Sequence, residues 1–136
     1  MDSQVAVLDA EATRVLLVEP NAALRSAIVT VLDAEHYQVE PCDSLEQVLV
    51  RTGDPSRVIA LVAWQSMEGL LAEHHRHRLV ELTQRLRLVL MVPRRWARLL
   101  ERSDLGVAVA GLVPKPFDAD ELLGTLKRAL PVHADV

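Results

Sequence analysis

The chain has 136 residues, half of them hydrophobic, a quarter charged and only 3% aromatic. That composition supplies one core built from Leu, Val, Ala and Ile and excludes a disordered chain. A net charge of −4 has the wrong sign for a domain that grips nucleic acid through its phosphates, so no direct nucleic-acid contact is expected.

Residues 1–13 form no firm pattern, although Val5, Ala6, Val7 and Leu8 could pack, and they read as an N-terminal tail. The start lacks the basic stretch and apolar run of a secretory signal, and the apolar runs are far shorter than the roughly 20 residues of a membrane span. The single Cys42 cannot form an internal disulfide. A reducing cytoplasm is the expected location, with no membrane contact.

Val15–Val18 reads as the first strand, and Asn21–Glu35 as the first helix, with Leu24, Ile28, Val31 and Leu32 at helical spacing. Tyr37–Val39 is the second strand and Ser44–Arg51 the second helix, capped by Asp43-Ser44. Val58–Val62 is the third strand and Gly69–Leu86 the third helix; Leu88–Val92 and Arg94–Ser103 are the fourth pair. Val107–Val113 is the fifth strand, and Asp118 caps a fifth helix over Ala119–Leu130. One domain over 14–131 is expected, with 132–136 as a C-terminal tail.

Most of these strands are continuous apolar runs, as in sheets covered on both faces. Five βα units with short, right-handed connections predict a flavodoxin-like (βα)5 three-layer α/β sandwich whose parallel sheet has the order 2-1-3-4-5. Such sheets bind ligands beyond the carboxyl ends of the strands, where the winding reverses. Function is therefore sought near Glu19 and Ala63, after strands one and three.

Two motifs resemble the receiver domains of bacterial response regulators, over Arg14 to Leu130. Val15-Leu16-Leu17-Val18-Glu19-Pro20-Asn21, followed by Leu24-Arg25, is similar to the opening strand that ends in an acidic pair. Val113-Pro114-Lys115-Pro116-Phe117, followed by Asp118 and Glu121-Leu122, is similar to the Lys-Pro-Phe end of strand five.

The resemblance implies a pocket in which the acidic pair and an aspartate ending strand three hold magnesium while that aspartate takes a phosphoryl group. Magnesium wants charged oxygens, and the nucleophile must be a carboxylate. Here Glu19 matches the first acidic residue, but Pro20 stands at the second and the acceptor position falls on Ala63, or on Trp64 one residue later. The hydroxyl position after strand four matches Val92, and the aromatic position of strand five matches Leu112; Lys115 alone is intact. The resemblance thus implies a pseudo-receiver: not an enzyme, without cofactor or metal.

Its expected role is phosphorylation-independent regulation in a bacterial signalling or transcription regulator, through a protein partner or output domain. The alternative is a small-molecule sensor that uses the altered pocket. Lys115 is expected to pair with Glu19 across that pocket, against the plainer reading of a solvated lysine.

Arg94, Arg95, Arg98 and Arg102 place a basic stripe on helix four, and Asp118, Asp120 and Glu121 open helix five with acids that complement its dipole. The resemblance implies a homodimer or output surface over helix four, strand five and helix five, with Leu112 inside it.

His74 and His77 sit three apart, but without a third ligand the His74–Arg78 run reads as a solvated face, with His75 in the Leu71, Leu79, Leu82 stripe. Trp64 and Trp96 read as packing residues, Trp64 filling the vacated pocket. There is no Gly-rich phosphate loop and no Ser-His-Asp arrangement that sequence alone defends.

Overall fold

A computed structural model describes residues 13–70, 76–103 and 108–130. Five strands, β1 (Arg14–Val18), β2 (Gln38–Pro41), β3 (Val58–Ala63), β4 (Arg87–Pro93) and β5 (Gly111–Lys115), form one parallel sheet in the order β2-β1-β3-β4-β5. Between and after them run α1 (Ala22–Ala34), α2 (Leu45–Arg51), α3 (Arg76–Arg85), α4 (Arg94–Glu101) and α5 (Ala119–Ala129). This is the flavodoxin-like winding expected from the alternation of elements.

The period-two alternation of side chains sorts the strands' residues between two cores. Leu16, Val18, Ala60, Val62, Leu88, Leu90 and Val92 pack against Leu45 and Val48 of α2, Leu82 of α3 and Ala97 of α4. Val15, Leu17, Ile59, Leu61, Ala63, Val89 and Met91 pack against Ile28 and Leu32 of α1 and Leu122 and Leu126 of α5. All six residues of β3 are buried, which is why its run shows no polar alternation. Burying each Leu, Val or Ile contributes about 1.5–3 kcal/mol.

Local chemistry sets the helix ends. Asn21 caps α1 by accepting the Leu24 amide at 2.9 Å, and Ser44 caps α2 by accepting the Gln47 amide at 3.2 Å. Asp118 and Glu121 form a full capping box on α5. At the far end of α1, His36 adopts φ 70°, the Tyr37 amide donates to Leu32 O at 3.1 Å and the His36 amide to Asp33 O at 3.0 Å. These bonds make a Schellman motif, in which Tyr37 returns to pack in the same cluster as Leu32.

That motif corrects the second strand. Tyr37 belongs to the helix stop, and the strand runs Gln38–Pro41 instead of Tyr37–Val39. Pro41 can end it because β2 is an edge strand with no ladder partner on its outer side.

Strand five is also shifted. The ladder starts at Gly111 and runs through Pro114 to Lys115, whereas the sequence suggested Val107–Val113. Val109 is apolar because it packs into the core, not because it is in the sheet, and Val107 lies outside the described residues. The third helix is described over Arg76–Arg85, preceded by a 3-10 turn over Trp64–Leu70. Helix four ends at Glu101, two residues before Ser103.

The described residues begin one residue before the expected domain start: Thr13 is buried, and its carbonyl accepts the Gln38 amide at 3.2 Å. Val5–Leu8, Leu71, His74 and His75 lie outside the described residues. His77 falls on α3, but its side chain lies outside them too. Among the described residues no helix is long and apolar enough to cross a membrane.

Candidate functional site

The carboxyl ends of the strands bring together the pocket residues expected from the sequence. β1 and β3 are in register with Val18 opposite Val62, so Glu19 and Ala63 follow side by side. Ala63 lies opposite Met91 on β4, while Pro93 lies opposite Lys115 on β5. One end of the sheet therefore carries Glu19, Ala63, Val92 and Lys115, drawn from four strands.

Glu19 is the charged centre of this group. It is 2% exposed, and its side chain is fully buried. Lys115 Nζ donates to its Oε1, and the Asn21 amide donates to its Oε2 at 3.0 Å. Arg25 Nη1 donates to the Glu19 carbonyl at 2.9 Å. Both carboxylate oxygens are thus engaged, as a buried charge requires.

Lys115 reaches across β3 and β4 to make this pair, from a strand end where the Lys115–Pro116 peptide is cis. Its own side chain keeps 24% exposure while its ammonium reaches the buried carboxylate.

Ala63 and Val92 are fully buried, packed into the two cores on either side of the sheet, and neither side chain carries an oxygen. Pro20 is exposed and has no side-chain oxygen. An acyl phosphate forms only on a carboxylate, and magnesium needs several hard oxygens. Among the described residues no three His, Cys, Asp or Glu side chains come together in a metal-holding group.

Trp64 is partly buried at the end of β3. It packs with Leu100 and Leu112 on the cluster beneath α4, and its ring stands 6.4 Å from that of Trp96 at 52°. Such tilted pairs are favourable aromatic contacts. The Trp pair joins the end of β3 to the first turn of α4.

The charged surface expected on α4 is split by a contact within the chain. Arg94 Nη2 donates to Pro116 O at 2.7 Å and pairs with Glu121 Oε2 at 3.3 Å. Arg94 and Glu121 therefore meet each other across β5. Arg95, Arg98 and Arg102 stay exposed, beside Leu99 at 72% and Trp96 at 43% exposure. Leu112 is only partly buried, and Asp118 is taken up by its cap.

Sequence reasoning missed the roles of Asn21 and Arg25 at the pocket. Their signal was present: an Asn cap turns the backbone amide at its own position back towards Glu19, and a residue four further on lies one helical turn above it.

No family model matches this sequence, and no curated protein matches it significantly. Solved structures do. A pilus-assembly-related protein from Burkholderia pseudomallei superposes with a TM-score of 0.66 at 19% identity, over 88% of this chain and 90% of that one. The chemotaxis response regulator CheY4 of Vibrio cholerae gives 0.63 at 18% identity, over 87% and 98%. The fold is that of response-regulator receiver domains. The Rec1 domain of ShkA, solved in complex with c-di-GMP, gives 0.63 at 18% identity over 91% and 97%. The receiver fold thus carries in this chain a strand-end pocket in which a lysine and a glutamate are paired.

Proposed function

We propose that this chain is a pseudo-receiver, a regulatory module of bacterial signalling that acts by binding a protein partner or output domain and not by taking up a phosphoryl group. The observation that carries this reading is Glu19, buried and held through both oxygens beside Ala63, at the place where the receiver fold would present its acceptor. A methyl group there cannot attack phosphorus, and the carboxylate that could hold a cation is already neutralised by Lys115.

The surface for the partner is α4 with β5 and the start of α5. Arg95, Arg98 and Arg102 point outward around Leu99, and a basic rim around an apolar centre suits an acidic partner surface.

The test is a titration of the amide spectrum with magnesium and beryllofluoride, an acyl-phosphate mimic. The expected outcome is no specific shift at Glu19, Ala63 or Lys115. Saturable shifts confined to those amides would overturn the reading.

A second reading is ligand sensing, favoured by the complex of ShkA Rec1 with c-di-GMP. In this chain the ion pair occupies the strand-end pocket, so a cyclic dinucleotide would need the exposed arginines of α4 with Trp96 as a stacking face. A rise in melting temperature with c-di-GMP that is lost in Arg98→Ala would favour this reading over the first.

A further inference from the structure

Among the described residues, large exposed hydrophobic side chains are confined to two helices. Leu49 at 44% and Val50 at 85% exposure lie on α2, and Trp96 and Leu99 lie on α4. Single exposed apolar residues need no explanation, but a pair on each of two helices marks surfaces for contact.

Both helices pack on the same face of the sheet, in the cluster that holds Leu45, Val48 and Ala97. Helix α2 follows the edge strand β2, whereas α4 leads into β5, the other edge. The two patches lie towards opposite ends of one layer, so a chain cannot close its own α2 on its own α4.

Their charges are opposite. On α4, Arg95, Arg98 and Arg102 follow one another at helical spacing around Leu99, and all three are exposed. Glu101 is two residues from Leu99 and so faces elsewhere. On α2, Glu46 stands one turn before Val50, and Asp43 lies three residues further back; both acids are exposed. The base of this helix, Arg51, is turned back to Pro41 O, to which its Nη1 donates at 3.3 Å.

This distribution disfavours pairing of either helix with its own copy. Setting α4 against α4 opposes arginines to arginines, and like charges across an interface suppress association. Of the acids that open α5, Glu121 is held by Arg94 and Asp118 by its cap. Setting α2 against α2 places acids beside acids when the helices are parallel, and Val50 over Glu46 when they are antiparallel. Setting α2 against α4 joins acid to base in either direction, since Arg95 precedes Leu99 by four residues and Arg102 follows it by three. Val50 also lines a groove of about 520 Å³ with Ser44, Glu46, Gln47 and Arg51, which has room for a leucine side chain.

We propose that α2 of one copy receives α4 of a second copy, with Leu99 set against Val50 in that groove and Arg95, Arg98 and Arg102 facing Asp43 and Glu46. This contact rests on the reading of α4 as the partner surface and makes the partner a second copy of this chain. Because the two patches differ, the contact is heterologous: each pair leaves one α2 and one α4 free, and copies add head to tail. Two short helices bury less than the roughly 1,200 Å² of a standard interface, so the assembly is weak and forms at high protein concentration.

The test is complementation, read by sedimentation of the full chain. Val50→Asp and Leu99→Asp change exposed residues, and each removes one face. The unsubstituted protein should gain mass with concentration, and each variant alone should stay monomeric. An equimolar mixture of the two should form dimers and stop there, joining α4 of the first to α2 of the second. A mixture that stays monomeric would overturn the proposal, as would an unsubstituted protein that never gains mass. If Val50→Asp associates like the unsubstituted protein while Leu99→Asp does not, the proposal falls but α4 stands as the partner surface. If Leu99→Asp associates normally, both fall.

A second variant leaves the apolar centres in place. Glu46→Arg should weaken association at least about tenfold at low salt, and unchanged association would overturn the proposal independently.

Discussion

Glu19 and Lys115 show how one pair of side chains decides what the strand ends can do. The carboxylate is buried with two donors, while the lysine stays in touch with water. Lys115→Met should therefore cost more than Glu19→Gln: the first strands a buried charge, at about 3–5 kcal/mol, while the second leaves an ammonium that can turn to solvent. Chemical denaturation of both variants and their double should show the double losing clearly less than the sum. Strict additivity would mean that the pair does not hold the pocket.

Acid–base behaviour at the residue scale points to alkaline pH. Burial pushes the Cys42 thiol above its ordinary 9.0, and burial with the nearby Glu35 charge pushes Tyr37 above 10.0. The unfolded chain then gives up these protons first, so it binds fewer than the native state as pH rises through that range. Stability is full below about 9 and falls above it. Cys42→Ala with Tyr37→Phe should flatten the alkaline limb of a stability-against-pH curve, read by urea midpoints.

At the scale of elements, β5 and α5 fit tightly at Gly111. A Cβ added at Gly111 would meet Thr125 Cγ2 at 2.7 Å, so the strand lies against the helix with no room for a methyl group. Gly111→Ala should destabilise the fold by about 1–3 kcal/mol. Adding Thr125→Ser should restore much of it, because serine removes Cγ2 and keeps the hydroxyl that donates to Glu121 O at 2.9 Å. Thermal unfolding of the single and double variants checks both steps.

Helix α4 is a contrasting element. It begins on Pro93 with no side-chain cap, and Arg94 and Arg95 sit at the end where the dipole disfavours positive charge. An eight-residue helix of this kind is marginal alone. The Trp64–Trp96 contact on one side and the Arg94 contacts to Pro116 and Glu121 on the other supply external support.

Those contacts also mark what the residue pattern could not reveal. Pairing across elements depends on where side chains arrive after folding, so Arg94 reads as part of a free stripe. Capping, by contrast, is local, and Ser44 and Asp118 are legible as caps from residue type and spacing alone. Strand edges fail where an apolar residue serves packing without a ladder, as at Val109, or where a helix stop borrows a strand-like aromatic, as at Tyr37.

For the molecule as a whole, the alternation of apolar runs and amphipathic helices gives the parallel sheet and narrows its winding to a few orders, of which 2-1-3-4-5, the one chosen, is observed. The match between Glu19 and Lys115 is visible as two motif remnants at the ends of strands one and five. What stays hidden is the surface: which charges face outward is settled only once α4 and α5 are placed.

That surface carries a prediction of its own. If α4, β5 and α5 join two copies or a partner, charge reversal at Arg98 and Arg102 should abolish any concentration-dependent association seen by sedimentation, while Arg94→Ala should chiefly lower stability. Association that survives Arg98→Glu with Arg102→Glu would place the contact elsewhere.

Strand β5 is at the edge of the sheet, laddered to β4 alone, whereas β1 lies inside it. The bond from Lys115 to Glu19 spans the two strands between them and acts as a staple from an outer plank to an inner one. Solvent should therefore enter this protein unevenly once the staple is cut: in Lys115→Met, hydrogen–deuterium exchange should quicken along β5 and the first turn of α5 well before β3 responds.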